Sequence, residues 1–249
     1  MTIGEDSHRA ISNEELQQNL WKLFSRPQAL KVASETTALL CIDLQYSNVH
    51  PDYGYGVRAK DLGIDGFLEP YWDRVQSTVL PNVSRLQGAA RSNGIEVIHL
   101  RLASMTRDGR DSSLRFKTMG LPTPRHTEEA QILPEVSPIE DEIVIDKVTS
   151  SAFSSTNIDR VLRNLGIRDL IVTGVVTNGC VESTVRSAME MDYGVTLVED
   201  AAAALAPQLH ENAILSMSYK DAAIVSTVEA MNTLQGDAAP IVVDRHETV

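Results

Sequence analysis

The sequence predicts an α/β fold in which helices cover both faces of a parallel sheet. Three observations predict it: continuous apolar runs, helical patterns between them, and an ordinary globular composition. Hydrophobic residues make up 43% and charged residues 22% of the 249-residue chain, enough for a domain of this size to bury a large core. Apolar runs that do not alternate with polar residues are typical of strands buried on both faces, as in a parallel sheet.

Six short apolar runs, rich in β-branched residues, are the predicted strands. Helical patterns separate them and end at glycines that can cap a helix, such as Gly94 and Gly166. Regular alternation of strand and helix is typical of a doubly wound sheet. The predicted strands are residues 37–45, 95–103, 141–147, 169–176, 194–200 and 222–229.

Two segments fall outside that alternation. Residues 1–36 are predicted to form an N-terminal extension with one amphipathic helix, because Ser12 and Glu15 have the spacing of a capping box. Residues 104–140 form a long polar connection of the kind that often serves as a lid or a binding loop. We therefore expect the extension to be followed by one domain over residues 37–249.

Charge and cysteine content exclude several function classes. The net charge is −12, and an acidic protein repels phosphate backbones and anionic lipid, so we expect neither nucleic-acid nor membrane partners. Two cysteines far apart give no disulfide framework, which favours a cytoplasmic location. The N-terminus lacks the pattern of a signal peptide, and no apolar run approaches the roughly 20 residues of a membrane span.

Three reactive residues lie at the ends of predicted strands. Asp43 follows the first run, Lys147 ends the third, and Cys180 follows the fourth. Because ligands of open α/β sheets bind beyond the carboxyl ends of the strands, we expect these side chains to converge. Asp43 would then take the thiol proton and return it to a leaving amine. The following helix and Lys147 would favour a Cys180 thiolate, and N–H groups at that helix start would stabilise an oxyanion.

Each of these residues also has a purely structural interpretation. Cys180 could be a packing residue, as we expect for Cys41 in the middle of the first strand. Asp43 could be a loop anchor, and Lys147 could be a solvated strand terminus. Three such residues at the correct ends of three core strands favour the catalytic interpretation.

Three stretches make the sequence similar to the isochorismatase-like cysteine hydrolase superfamily. They are "ALLCIDLQ" with Asp43, "IDKVTSSAF" with Lys147, and "VTGVVTNGCVESTVRSAMEMDYGVTLVEDAAAA" with Cys180. The resemblance spans roughly residues 36–232, and its last stretch is the most specific. It implies a three-layer α/β/α fold with a six-stranded parallel sheet and an Asp43-Lys147-Cys180 triad.

The resemblance also implies details of the site and of the assembly. They are a cis peptide bond between Val175 and Val176, an oxyanion hole formed by the N–H groups of Val176 and Cys180, and a homo-oligomer, for which we expect a tetramer. The extension, with apolar residues such as Leu16, Leu20, Trp21 and Leu23, is expected at a subunit contact.

Most members of the superfamily cleave a C–N bond of a small amide. Cys180 argues against the vinyl-ether hydrolysis of true isochorismatases, which lack the cysteine. The stretch "TNGCVESTVR" is most similar to members that act on carbamoyl or ureido groups, and we expect a linear amide or ureide substrate cleaved through a thioester. Nicotinamidase- or maleamate-type amidase activity, or a non-catalytic protein of this fold, are the alternatives.

No cofactor is expected. Nicotinamidases bind a metal through an Asp-x-His pair and a further histidine, but here only His50 lies in the corresponding region, and His99 is expected in the core. Cations and polar groups near the strand ends are candidate contacts to a small, polar, anionic substrate, and Phe153 is either an aromatic wall or core. The predicted substrate-binding residues are Gln45, Arg101, Arg107, Phe153 and Asn178.

Overall fold

The computed structural model describes residues 11–25, 27, 33–121 and 123–234. All six predicted strands form, and they make one parallel sheet in the order β3-β2-β1-β4-β5-β6. The strands are β1 (Thr37–Ile42), β2 (Glu96–Leu102), β3 (Ile143–Lys147), β4 (Asp169–Val175), β5 (Gly194–Ala203) and β6 (Ala223–Val225).

Helices pack on both faces of the sheet, as the alternating pattern predicts. Those described are α1 (Asn13–Phe24), α2 (Tyr46–Val49), α3 (Gly54–Asp61), α4 (Glu69–Arg74), α5 (Leu80–Ser92), α6 (Leu114–Thr118), α7 (Ile158–Asn164), α8 (Glu182–Glu190), α9 (Pro207–Ser218) and α10 (Thr227–Leu234).

Neighbouring residues of β1 belong to two different core clusters. Leu39 and Cys41 pack with α5 on one face, whereas Leu40 packs with α7, α8 and α9 on the other. Cys41 is the core residue that the sequence predicts, and burial raises the pKa of its thiol to about 11. A sheet covered on both faces exposes its functional side chains only at the strand ends.

The order of strands reverses between β1 and β4. The chain builds β1, β2 and β3 outward on one side, then returns to lay β4 on the other side of β1. The crevice beyond the carboxyl ends of two such strands is where open α/β sheets bind ligands. Asp43 and Cys180 follow these two strands directly.

The sheet edge near Asp43 depends on one glycine. β1 ends at Ile42, earlier than predicted, because Asp43 has a φ of 55° and leaves the strand conformation. Gly174, with a φ of 111°, pairs with Ile42, and a Cβ there would lie 2.1 Å from the Ile42 carbonyl oxygen. Only glycine fits so close to the neighbouring strand.

Two predicted elements differ in extent from the sequence pattern. β6 ends at Val225, because the Asp200 carboxylate accepts hydrogen bonds from the N–H and hydroxyl of Thr227 and so starts α10. The helical pattern that precedes Gly94 begins at Glu69 and crosses a π-helical turn over Val75–Val79. That turn ends two residues before Pro81. The nitrogen of Pro81 has no hydrogen to donate to the preceding turn of helix.

The predicted extension helix is α1, and Ser12 caps it by accepting a hydrogen bond from the Glu15 N–H at 3.1 Å. α1 packs on α9 of its own domain: the Gln17 amide and the Trp21 indole donate to Ser218 at 2.6 and 2.9 Å. None of its residues is buried, and Leu23 is 72% exposed. No helix in the described part of the chain is long and apolar enough to cross a membrane.

Candidate active site

Asp43, Lys147 and Cys180 meet at the carboxyl edge of the sheet. Lys147 ends β3, and its ammonium donates a hydrogen bond to Asp43 Oδ2 at 2.8 Å. The Cys180 thiol lies within hydrogen-bonding reach of both partners. Lys147 and Asp43 are completely buried, which excludes the interpretation of Lys147 as a solvated strand terminus.

The Asp43–Lys147 pair is a buried ion pair. Burial opposes the charge on Lys147, but the Asp43 carboxylate and Cys180 outweigh it and raise the pKa of the ammonium. Burial raises the pKa of Asp43, although Lys147 partly offsets this. Asp43 Oδ1 has no aligned hydrogen-bond partner among the described residues. The carboxylate therefore has one oxygen held by Lys147 and one free to take a proton.

Cys180 is protonated in the resting site. Burial, followed by the negative charge of Asp43, raises the pKa of its thiol to about 12, although Lys147 lowers it. The sequence contains groups that favour a thiolate, and in the structure burial and the charge of Asp43 outweigh the effect of Lys147. Asp43 is in reach to receive the proton of this thiol.

Cys180 lies in a π-helical turn, Thr177–Val181, that leads into α8. The peptide bond between Val175 and Val176 is cis, as the resemblance implies. The Val176 carbonyl accepts hydrogen bonds from the N–H groups of Gly179 at 2.9 Å and Val181 at 3.4 Å. Among the described residues, no hydrogen bond from the Val176 N–H is found, so this donor is available to a ligand.

Two of the predicted substrate contacts are occupied by the protein itself. Both N–H donors of the Gln45 amide are used, one on the Leu102 carbonyl at 2.8 Å and one on Ser47 Oγ at 3.0 Å. Arg101 donates to Asp146 at 2.5 Å and to the Ala130 carbonyl at 3.2 Å. The hydrogen bonds of Gln45 join the end of β1 to β2, and those of Arg101 anchor residues 130–131. Both side chains therefore have a structural role.

The other three predicted contacts differ from one another. Phe153 is half-buried and packs against Tyr193 with ring centroids 5.7 Å apart, so it contributes to the core cluster with α7 and α8. Asn178 is exposed within the nucleophile turn, two residues from Cys180. Arg107 is exposed and has no ion pair within the described residues. Asn178 and Arg107 keep free polar groups for a ligand.

Tyr55, on α3, is a site residue that the sequence reasoning missed. Burial raises the pKa of its phenol, electrostatic interactions with Cys180 and Asp43 add to this, and Arg115 on α6 lowers it. Tyr55 thus lies within electrostatic reach of Cys180 and of Arg115, which is exposed and has no ion pair among the described residues. The available signal in the sequence was the second tyrosine of "PDYGYG", shortly after the first strand, where aromatic residues can line a site.

His50 takes no part in a metal cluster. Its Nδ1 accepts a hydrogen bond from the Asp52 N–H at 3.2 Å, and its ring packs against Tyr46 and Tyr53. Across the described residues, no group of three or more histidine, cysteine, aspartate or glutamate side chains is placed to hold a metal ion.

Comparison with known proteins identifies a family and homologous sequences. The sequence profile of the isochorismatase domain matches residues 37–230. A ureidoacrylate amidohydrolase RutB from Pseudomonas syringae pv. syringae is 31% identical over 212 residues, which cover 78% of this chain and 81% of that protein. A ureidoacrylate amidohydrolase RutB from Agrobacterium fabrum is 28% identical over 233 residues, covering 87% and 97%.

Solved structures share the fold. A cysteine hydrolase from Pseudomonas syringae pv. phaseolicola superposes with a TM-score of 0.72 at 22% identity, covering 85% of this chain and 98% of that one. An isochorismatase from Pseudomonas putida superposes with a TM-score of 0.62 at 28% identity, covering 84% and 97%.

Proposed function

The chain belongs to the isochorismatase family of hydrolases, and we propose that it is a metal-independent cysteine amidohydrolase that cleaves a linear C–N bond of a small carbamoyl or ureido compound. One observation carries the proposal: a buried thiol lies within reach of a carboxylate and an ammonium that pair at 2.8 Å. Packing alone would not require an ion pair beside a cysteine, because burying two charges is costly.

The first half-reaction follows from the resting protonation states. Cys180 Sγ forms a bond to the substrate carbonyl carbon while its proton passes to Asp43. The N–H groups of Val176 and Cys180 stabilise the oxyanion. Asp43 then gives the proton to the leaving nitrogen as the C–N bond breaks. An amine or ammonia leaves, and the acyl or carbamoyl group remains on sulfur.

The second half-reaction reuses the same carboxylate. Asp43 accepts a proton from water while the water oxygen attacks the thioester carbonyl. Collapse of the tetrahedral intermediate breaks the C–S bond, and the departing sulfur regains the proton from Asp43. Lys147 orients the Asp43 carboxylate and compensates its negative charge. The Lys147 ammonium is itself held in place, because it also donates to the Thr149 carbonyl at 3.2 Å.

The proposed substrate class rests on the names of the relatives and on the positive charge of Arg115, which acts on Tyr55. Two proteins similar to this chain over most of its length are named ureidoacrylate amidohydrolases. Arg115 acts electrostatically on Tyr55, which itself interacts with Cys180, and Asn178 lies exposed in the turn that holds Cys180. A substrate with an anionic group beyond the ureido carbonyl fits this distribution of charge.

A panel of small substrates tests the proposal. We expect amine or ammonia release from ureido acids, with slower release from nicotinamide or maleamate and none from a vinyl ether. Activity is expected to survive dialysis against a strong chelator. Loss under chelation with recovery on adding zinc or manganese would contradict the metal-independent mechanism, and turnover of nicotinamide alone would contradict the substrate class.

A further inference from the structure

A histidine outside the triad is joined to the nucleophile turn. His210 lies in α9, and its Nδ1 is 2.8 Å from the hydroxyl of Thr177 in that turn. Its Nε2 is 3.2 Å from Nη2 of Arg74, at the end of α4. Thr177 is completely buried and His210 is 9% exposed. The end of α4, helix α9 and the π-helical turn, which are distant in sequence, thus meet at Thr177, three residues before Cys180.

Arg74 determines which nitrogen of His210 carries the proton. A guanidinium only donates hydrogen bonds, so Nε2 must accept, and the single hydrogen of a neutral ring is on Nδ1. Burial and the charge of Arg74 lower the pKa of His210 to about 4, which keeps the ring neutral. Arg74 is itself fixed by donating to the Ala202 and Glu199 carbonyls, each at 3.0 Å.

Thr177 consequently receives a hydrogen bond of defined direction. The Nδ1–H of His210 donates to Thr177 Oγ1, which anchors the first residue of the π-helical turn. Val176, the preceding residue, bears the unpaired N–H, and its carbonyl accepts the hydrogen bonds that close the turn. A hydrogen bond to the Thr177 side chain therefore restrains the adjacent Val176 peptide group and, through the Val176 carbonyl, the end of the turn at Val181.

We infer that His210 is a positioning residue, which, as its Nδ1–H tautomer set by Arg74, holds Thr177 so that the N–H groups of Val176 and Cys180 point at the oxyanion. This inference rests on the proposed function, since it assigns His210 a part in the same reaction. His210 does not touch the reacting atoms. Its effect is on the transition state, where correctly placed oxyanion donors count most.

Paired substitutions separate positioning from packing. His210→Leu and Thr177→Val each remove the hydrogen bond, whereas His210→Asn keeps a donor near the position of Nδ1 and Thr177→Ser keeps the hydroxyl. We expect kcat to fall about 10–100-fold in the first two, with KM changed less than about threefold. The two conservative variants should recover most of the lost kcat. Iodoacetamide should alkylate Cys180 at a near wild-type rate in all four, because the thiol and Asp43 are untouched.

Two results would overturn the inference. One is a kcat that falls equally in the conservative and the disruptive variants while all remain folded. The other is a loss confined to KM, which would make His210 a substrate-binding or general packing residue. If His210→Leu fails to fold, Thr177→Val against Thr177→Ser decides the question alone.

The tautomer is measured without any substrate. Nitrogen-15 NMR of the wild-type protein at pH 7 should show His210 protonated at Nδ1 and bare at Nε2, and the opposite tautomer would overturn the network. An inactive wild type with the expected tautomer would contradict the proposed function and leave the hydrogen bond to Thr177 intact. An active wild type with the opposite tautomer would contradict the positioning role alone.

Discussion

Lys147 Nζ lies 2.8 Å from Asp43 Oδ2, and neither side chain has any exposed surface. The two residues are 104 positions apart in sequence: Asp43 follows β1, Lys147 ends β3, and β2 lies between these strands. The fold thus brings an acid and a base together beside Cys180, and the charge of each sets the chemistry of the thiol.

Replacing Asp43 should separate turnover from thiol reactivity. In Asp43→Asn the general base is lost, so we expect kcat to fall about 10²–10⁴-fold. The same change removes the charge that, after burial, most raises the pKa of Cys180. Alkylation of Cys180 by iodoacetamide between pH 7 and 9 should therefore become faster. Slower or unchanged alkylation would show that Asp43 does not act on the thiol.

Replacing Lys147 should act on the thiol in the opposite direction. Lys147 lowers the pKa of Cys180, so Lys147→Met should slow alkylation at a given pH and reduce turnover. Lys60→Met is a matched control, because Lys60 pairs with Asp52 at 2.7 Å and both side chains are exposed. An alkylation profile identical to wild type would remove Lys147 from the triad.

Lys147→Met should also lower the free energy of unfolding. It leaves Asp43 buried without a partner, which typically costs about 3–5 kcal/mol. The double variant Asp43→Asn/Lys147→Met removes both charges and should regain part of that loss in urea unfolding at pH 7. If the double variant is less stable than Lys147→Met, the ion pair is not the source of the cost.

His210 should make stability depend on pH below neutrality. Its pKa falls from 6.5 to about 4 on folding, because burial and Arg74 disfavour the charged ring. As the pH falls, the unfolded chain binds the proton at a higher pH than the folded chain does. The contribution of neutral His210 to the free energy of unfolding is therefore full above pH 6.5 and is lost as the pH falls towards 4, by up to about 3 kcal/mol.

Urea unfolding at pH 7 and pH 4.5 measures this contribution. The stability difference between wild type and His210→Asn should shrink as pH falls, whereas His126→Asn, at an exposed position, serves as the control. A difference that stays constant across this range would contradict the depressed pKa.

The exposed face of α1 provides a test of assembly. We expect a homo-oligomer, most simply a tetramer, in which Leu23 and Phe24, 72% and 53% exposed, are covered by another subunit. Leu23→Ser/Phe24→Ser should then lower the mass measured by light scattering, and Leu114→Ser, at another exposed leucine on α6, should not. A wild-type monomer, or an unchanged mass in the double variant, would contradict the expectation.

The sequence pattern predicted the sheet and the placement of the triad because both depend on periodicity and on strand ends. Continuous apolar runs gave all six strands, and Asp43, Lys147 and Cys180 follow or end three of them. Ends of elements were less predictable, since the φ of Asp43 and the cap on Thr227 depend on tertiary contacts. No local pattern reveals that Gln45 and Arg101 are used by the protein's own backbone and carboxylates.

The resting state of the thiol could not be predicted from the sequence either. A cysteine at a helix start beside a lysine indicates a lowered pKa, but the burial of Cys180 and the charge of Asp43 raise the pKa of the thiol instead. Burial of a particular side chain depends on tertiary packing around the strand ends, which no local pattern specifies. Tyr55 and His210 were missed for the same reason, because their partners are distant in sequence.

The central claim is that Cys180 carries the substrate's acyl or carbamoyl group during turnover. Rapid acid quenching of the wild-type enzyme with a ureido acid, followed by peptide mass spectrometry, measures it most directly. We expect one carbamoyl group on the peptide that contains Cys180, none on the peptide that contains Cys41, and no adduct in Cys180→Ala. Turnover by the wild type with Cys180 unmodified at every quench time, or turnover by Cys180→Ala, would contradict the covalent mechanism.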